Sequence, residues 1–169
     1  MLRFFENLFK LMRPSPFIIN LIVLVDFLIH NDAKKLFLFI FLYIANFFNY
    51  LLKHYIFKPI MGNKKYKVLG TGTRPRGAKN CGYFIDNKSP TSYGMPSGHS
   101  QTVGIFSGYY ISEALDRDHE NKNVVIALLS ILTLLVMYSR VKFGCHTVQQ
   151  VIIGALIGLM MGYGFYQLA

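Results

Sequence analysis

The chain is poor in charge. Only 15% of its 169 residues are Asp, Glu, Lys or Arg, against about 25% in an ordinary soluble domain. Acid is the scarcer sign: eight Asp and Glu stand against 18 Lys and Arg, a formal net of +10. Hydrophobic residues fill 53% of positions, which excludes a disordered chain. The same abundance argues against nucleic acid as the partner, since the cations would have to share a small surface with long apolar runs. Two cysteines, Cys81 and Cys145, are too few for a disulfide scaffold and lack metal-site spacing, so two free thiols are expected. A cluster of carboxylates is missing too, as are sequence repeats and low-complexity tracts. What is left is an integral membrane protein, all-α, with its positive charge outside the bilayer and a length suited to one domain over residues 1–169.

Along the chain, Leu2, Phe5, Leu8, Phe9 and Met12 alternate helically with Arg3, Glu6, Asn7, Lys10 and Arg13. This predicts an amphipathic interfacial helix over 1–13, retained because no small-residue cleavage site follows. A first apolar run, Phe17 to Ile29, is short for a span and carries Asn20 and Asp26. Asp26 is expected to be satisfied by packing against protein. A second run extends from Leu36 to Phe57, with Lys53 and His54 near its end. Residues 58–95 are polar and rich in Gly, Lys and Pro; a loop of that length is either functional or disordered, and it is read as an active-site loop. Three further spans follow, near Pro96–Leu115, Asn123–Tyr138 and Thr147–Leu168, making about five in all. Small residues recur every fourth position at Ser100, Gly104, Gly108 and Ser112, and at Gly154, Gly158 and Gly162. Such stripes predict close helix packing in lipid.

Three polar clusters sit at span borders, and counting spans brings them to one face. They are Lys67 followed after six residues by Arg74-Pro75, then Pro96-Ser97-Gly98-His99, then Ser139-Arg140 with His146 and Gln150 beyond. Lys67, Arg74 and Arg140 supply cations suited to phosphate oxygens. Ser97 and Gly98 stand at a helix N-terminus, where free amides and the helix dipole favour an anion. Two histidines can divide the work of breaking a P–O bond, one attacking phosphorus and one protonating the leaving oxygen. Each residue alone has a plainer reading as a headgroup anchor or interfacial side chain; the order and common face of the three clusters carry the argument. Gly70-Thr71-Gly72-Thr73 matches neither a Walker A loop nor a dinucleotide fingerprint and carries little weight.

These clusters resemble the PAP2, or type 2 phosphatidic acid phosphatase, superfamily. Its pattern is Lys, six residues, Arg-Pro; then Pro-Ser-Gly-His; then Ser-Arg, five residues, His, three residues, Asp. Ten of the eleven positions match with spacing intact, over about residues 60–165. The resemblance implies a PAP2-like helical bundle, His146 as a nucleophile forming a phosphohistidine, His99 as general acid, and a phosphate held by Lys67, Arg74, Ser97, Gly98 and Arg140. It implies no metal and no cofactor. Gln150 is the departure: most members carry Asp there, one helical turn beyond the histidine, where the side chain reaches the imidazole. The dolichyl diphosphatase branch is similar at this point and at Tyr93-Gly94-Met95-Pro96 and His99-Ser100-Gln101, so Gln150 reads as a mark of that subgroup.

The resemblance implies a membrane lipid phosphatase acting on a polyprenyl diphosphate, with phosphatidic acid or another lipid phosphate as the alternative substrate. A catalytically weak PAP2-like binder of anionic headgroups is the alternative from a different class. Transport has little support, for want of broken-helix symmetry. The partner in each phosphatase reading is a membrane lipid, in the endoplasmic reticulum membrane of a eukaryote or the inner membrane of a bacterium. Sidedness is in conflict. Fourteen of the 18 basic residues fall on the motif face, leaving only Lys34, Lys35, Arg117 and Lys122 opposite. The positive-inside rule would put the motifs in the cytosol, whereas dolichyl diphosphatases, by resemblance, put them in the lumen. The sequon Asn87-Lys88-Ser89 lies on that face, followed by Pro90.

Overall fold

The computed structural model describes residues 10–82, 87–117 and 120–169. The interfacial helix expected over 1–13 therefore lies outside the described residues except for its end, where Lys10 and Leu11 are helical.

Five long helices follow among the described residues. Helix α1 is Ser15–His30, with Pro16 in its first turn, where a missing N–H costs nothing. It stops at Asn31, whose left-handed φ of 49° lets its N–H bond the Phe27 carbonyl. Asp32 then caps α2, its side chain accepting from the Lys34 amide at 2.9 Å. Helix α2 runs Ala33–Met61, longer at both ends than the Leu36–Phe57 run predicted, and passes through a π-helical stretch at Leu52–Phe57. The cap extends its start. Lys53 is buried near its far end, and the helix continues beyond the apolar run through Lys58–Met61. Two two-residue strands, β1 Lys65–Tyr66 and β2 Gly70–Thr71, form a small antiparallel hairpin. Helix α3 is Gly98–Asp116, α4 is Lys122–Lys142 and α5 is Val148–Leu168.

Three of these, α2, α4 and α5, are long and apolar enough to cross a membrane, and α1 is a shorter apolar helix. Helix α3 is less apolar because it faces protein instead of lipid: 13 of its 19 residues are buried. Exposed Phe37, Ile40, Phe47, Leu128, Leu134 and Met160 lie on the other helices, as a lipid-facing surface requires. The small-residue stripes account for the contact between α3 and α5. A Cβ on Gly104 would lie 2.6 Å from the Ala155 carbonyl oxygen, and one on Gly108 would lie 2.5 Å from that of Leu159. Backbone meets backbone here.

At the end of the bundle away from the motifs, Lys35 is buried between Glu113 (2.6 Å) and Asp26 (3.1 Å). Tyr110 donates to the other side of the pair, at Asp26. Asp26 thus ties α1 to α2 and α3, the satisfied role expected of it.

Candidate active site

The turn between α4 and α5 builds the first half of the site. Arg140 lies in the last turn of α4, and its carbonyl accepts from the amides of both Cys145 (3.0 Å) and His146 (3.3 Å). Gly144, with φ of 65°, makes the reversal this needs. The five residues separating Arg140 from His146 are thus a helix end and one turn, which keeps the guanidinium and the imidazole together. Thr147 then caps α5 in a box with Gln150.

Gln150 is fully buried and every polar position on its amide is used. Its Oε1 accepts from His146 Nδ1 at 3.1 Å and from the Thr147 amide at 3.3 Å. Its Nε2 donates to the carbonyls of Thr71 (2.8 Å) and Thr73 (2.7 Å). Reversing the amide would set oxygen against two carbonyls, so the orientation is determined by its partners. Gln150 therefore performs two tasks: it orients the imidazole and fastens the Gly70–Thr73 run over it. An aspartate has no N–H for the second. The run given little weight as a phosphate loop matters here through its carbonyls.

Since Gln150 Oε1 can only accept, His146 carries its hydrogen on Nδ1, and Nε2 presents a lone pair. Arg74 Nη1 lies 3.1 Å from that lone pair and 3.0 Å from the Cys145 carbonyl. Ser92 holds the remainder of the Arg74 fork, through its carbonyl at 3.0 Å and its hydroxyl at 2.8 Å. Burial lowers the Arg74 pKa to about 10, leaving the group cationic at neutral pH. Burial, followed by the charges of Arg74, Lys53 and Arg140, pushes the His146 pKa well below the usual imidazole value. The outcome is a buried neutral imidazole whose Nε2 lone pair accepts from Arg74 Nη1, so the atom is free of hydrogen as a nucleophile needs and is released when the guanidinium turns to an anion.

The start of α3 supplies the second half. Ser97 caps the helix and its own amide donates to the Gln150 carbonyl at 3.1 Å, which joins α3 to α5 at the site. The Gly98 amide, at the first helical position, has no intrahelical acceptor. Gly98 is there for space: a Cβ would lie 3.3 Å from Asn49 Oδ1. His99 points Nε2 at the Arg13 carbonyl, 2.9 Å away. A carbonyl only accepts, so Nε2 bears a hydrogen and any transferable proton resides on Nδ1. Arg74, Lys53 and Arg140 act electrostatically on His99 as they do on His146, so both histidines share one set of cations.

The structure thus brings together His146, His99, Gln150, Arg74, Ser97, Gly98 and Arg140, but not Lys67. Lys67 is exposed on the connection between β1 and β2, with no hydrogen bond or ion pair among the described residues. Lys53 occupies the buried position among the arginines. Its signal was present in the sequence as a lysine ending an apolar run, since an ionisable group in a span is a functional candidate by default. Arg140 is fully buried, with Nη2 donating to the Cys81 carbonyl at 2.5 Å and with Nε and Nη1 unpartnered. None of the ion pairs among the described residues involves Arg13, Lys53, Arg74 or Arg140. Buried cations without acids are costly unless an anion joins them. Among the described residues no three His, Cys, Asp or Glu side chains gather as a metal site requires.

The expectation of two free thiols is overturned: Cys81 and Cys145 form a disulfide across 64 positions, with Cα atoms 5.5 Å apart. The polar loop folds back onto the α4–α5 turn, and sequence distance hid that return. Both cysteine carbonyls accept from site arginines, Cys81 from Arg140 and Cys145 from Arg74. The bridge therefore holds together the carbonyls that position Arg140 and Arg74. An open cleft of about 240 Å³ leads to Arg74 between His54, Lys58, Thr73 and Pro90–Tyr93.

The family model of the PAP2 superfamily matches residues 34–169. Dolichyldiphosphatase 1 of Homo sapiens is 36% identical over 86 residues, covering 45% of this chain and 36% of that protein. Dolichyldiphosphatase 1 of Dictyostelium discoideum is 34% identical over 80 residues, covering 44% and 35%. Dolichyldiphosphatase of Saccharomyces cerevisiae is 32% identical over 94 residues, covering 53% and 39%. The chain matches little more than a third of the length of these curated relatives. No solved structure matches it.

Proposed function

The chain belongs to the PAP2 superfamily, and from that premise we propose that it is a membrane lipid phosphatase that hydrolyses a polyprenyl diphosphate of the dolichyl type. The products are the lipid monophosphate and inorganic phosphate. The observation that carries this reading is His146 held neutral, with its Nε2 lone pair beside Arg74 in a pocket of cations. The names of the three relatives support the choice of substrate.

In the proposed reaction the headgroup enters along the cleft by Arg74 while the lipid chain stays in the bilayer. Arg74, Arg140 and the first amides of α3 hold the terminal phosphate, with Ser97 and Gly98 setting that helix end. His146 Nε2 attacks the terminal phosphorus. As the N–P bond forms, the anhydride P–O bond breaks and its electron pair departs on the bridging oxygen, which takes the Nδ1 proton of His99, a ring that acquires that proton from the partly protonated diphosphate as the anion binds beside it. Gln150 Oε1 accepts from Nδ1–H of the phosphorylated ring and steadies its charge without an ionic partner. Water then attacks phosphorus, gives a proton to His99, and releases phosphate with His146 restored. Every bond step is carried by the histidines.

The Cys81–Cys145 bridge favours a site on the oxidising side of its membrane, because disulfides persist in the lumen or periplasm and not in the cytosol. We accordingly assign the site to the lumenal face of a eukaryotic endoplasmic reticulum membrane, or the periplasmic face of a bacterial inner membrane. The count of basic residues gives way, since several of those cations belong to the site.

The test is phosphate release by purified protein from polyprenyl diphosphate, polyprenyl monophosphate and phosphatidic acid, with chelator present. Release from the diphosphate, lost in His146→Ala, is expected. Preference for phosphatidic acid would reassign the substrate, abolition by chelator would overturn the histidine-only chemistry, and binding without any release would make the chain a headgroup binder.

A further inference from the structure

Arg13 precedes α1 and is 86 positions from His99, yet the two meet through the Arg13 carbonyl. Its side chain is only 9% exposed. The guanidinium lies over the Phe143 ring, with Cζ 4.8 Å from the centroid, and Nε and Nη1 have no hydrogen-bond partner. Phe143 belongs to the turn joining Arg140 to His146, so Arg13 is applied to that turn from the N-terminal side. Its charge reaches Arg140. A buried guanidinium with unpaired donors is costly on its own, and here three buried cations, Arg13, Lys53 and Arg140, gather with the half-buried Arg74 and without an acid among the described residues.

The donors divide in a telling way. Arg74 has all three of its nitrogens engaged with Ser92, Cys145 and His146. Arg140 and Arg13 each retain Nε and Nη1 without partners. Two arginines with spare donors suit two phosphoryl groups. Arg140 is tied to the nucleophile by its carbonyl, and Arg13 is tied to the proton donor by its own.

We infer that Arg13, with Lys53 beside the site, holds the phosphoryl group that departs with the lipid, and so makes the pocket selective for a lipid diphosphate over a lipid monophosphate. The inference rests on the phosphatase reading. When the anhydride bond breaks, the bridging electron pair goes to a lipid phosphate, an anion from start to finish. Arg13 neutralises that anion beside His99. A monophosphate ester instead releases a lipid alkoxide, which needs the His99 proton and has no phosphate for Arg13 to grip. The diphosphate also carries more of the negative charge that these four cations demand.

Arg13→Gln and Arg13→Lys test this, because each changes the side chain and leaves the carbonyl that holds His99. The measurements are kcat/KM for a polyprenyl diphosphate and the monophosphate of the same chain, with binding of methylenediphosphonate and of inorganic phosphate to each purified protein. Arg13→Gln is expected to lower the diphosphate value about 10- to 100-fold more than the monophosphate value, in line with loss of charge-assisted hydrogen bonds. Arg13→Lys should restore part of the loss, since it keeps the charge but not the fork. The variant should weaken methylenediphosphonate far more than phosphate. Equal losses for both substrates and both anions, or no restoration of either by lysine, would show a structural arginine and overturn the inference. If the wild type hydrolyses no lipid phosphate but binds methylenediphosphonate through Arg13, the subsite stands and the phosphatase reading falls.

Discussion

Replacing Gln150 by Asp installs the residue that the wider superfamily pattern carries, and it separates the two tasks the glutamine performs. A carboxylate at 150 can still accept from His146 Nδ1 and adds a full charge beside the imidazole. It cannot donate to the Thr71 and Thr73 carbonyls, which Gln150 Nε2 reaches at 2.8 and 2.7 Å. Losing both bonds and leaving two buried acceptors unsatisfied costs about 1 kcal/mol or more each. The oxygen would also face carbonyl oxygens, which opposes any gain from the charge. A net loss of about 2 kcal/mol in positioning the 70–73 run corresponds to about a 30-fold drop, since about 1.4 kcal/mol is tenfold. The assay is kcat/KM for polyprenyl diphosphate with the melting temperature alongside. Gln150→Glu completes the comparison, because it makes the same exchange of donors for a charged oxygen while retaining the length. An aspartate variant at or above wild-type kcat/KM would refute the reasoning, and Gln150 would then be a handicap in place of a fastener.

Other expectations follow from the same geometry. Reduction of the Cys81–Cys145 bridge, or Cys81→Ser, should remove phosphate release and lower the melting temperature, with about 4 kcal/mol set by closure of a loop spanning 64 positions; unchanged activity in reductant, with both thiols alkylated, would separate the bridge from the site. Gly108→Ala should destabilise the bundle by about 1–3 kcal/mol, because the new Cβ would stand 2.5 Å from the Leu159 carbonyl oxygen; a melting temperature equal to wild type would contradict the packing. His146 is neutral when folded and its pKa is depressed, so its contribution to stability is present above the ordinary imidazole value of about 6.5 and is lost as pH falls below it. The acid limb of kcat/KM should accordingly lie below that value for His146, and Arg74→Gln should move it upward; NMR titration of the imidazole is the check.

Much of the site is legible in the sequence because its spacings are local. Arg140, His146 and Gln150 are joined by a helix end, a turn and a helix start, so their separation translates directly into geometry. Ser97, Gly98 and His99 are likewise a cap and the first turn of one helix. The apolar runs mark the spans, since a helix in lipid must satisfy its backbone internally and cover itself with apolar side chains. Their ends are less legible: α2 runs past Phe57 through Lys58–Met61, and Lys53 within the run finds cover inside the protein, which no hydropathy pattern records.

The sequence by itself determined the membrane class, the helix order and the grouping of two histidines in a candidate phosphate site. Those features rest on composition and on residues near one another in the chain. Tertiary structure decided which cations complete the site. It left Lys67 exposed, buried Lys53 and Arg13 in its neighbourhood, and bridged Cys81 to Cys145. It also turned Gln150 from a missing charge into a four-bonded link between the imidazole and a loop more than 75 positions away. The physical reason is common to all of these. Burial and hydrogen bonding depend on what the folded chain brings within about 3 Å, and separation along the sequence does not constrain that.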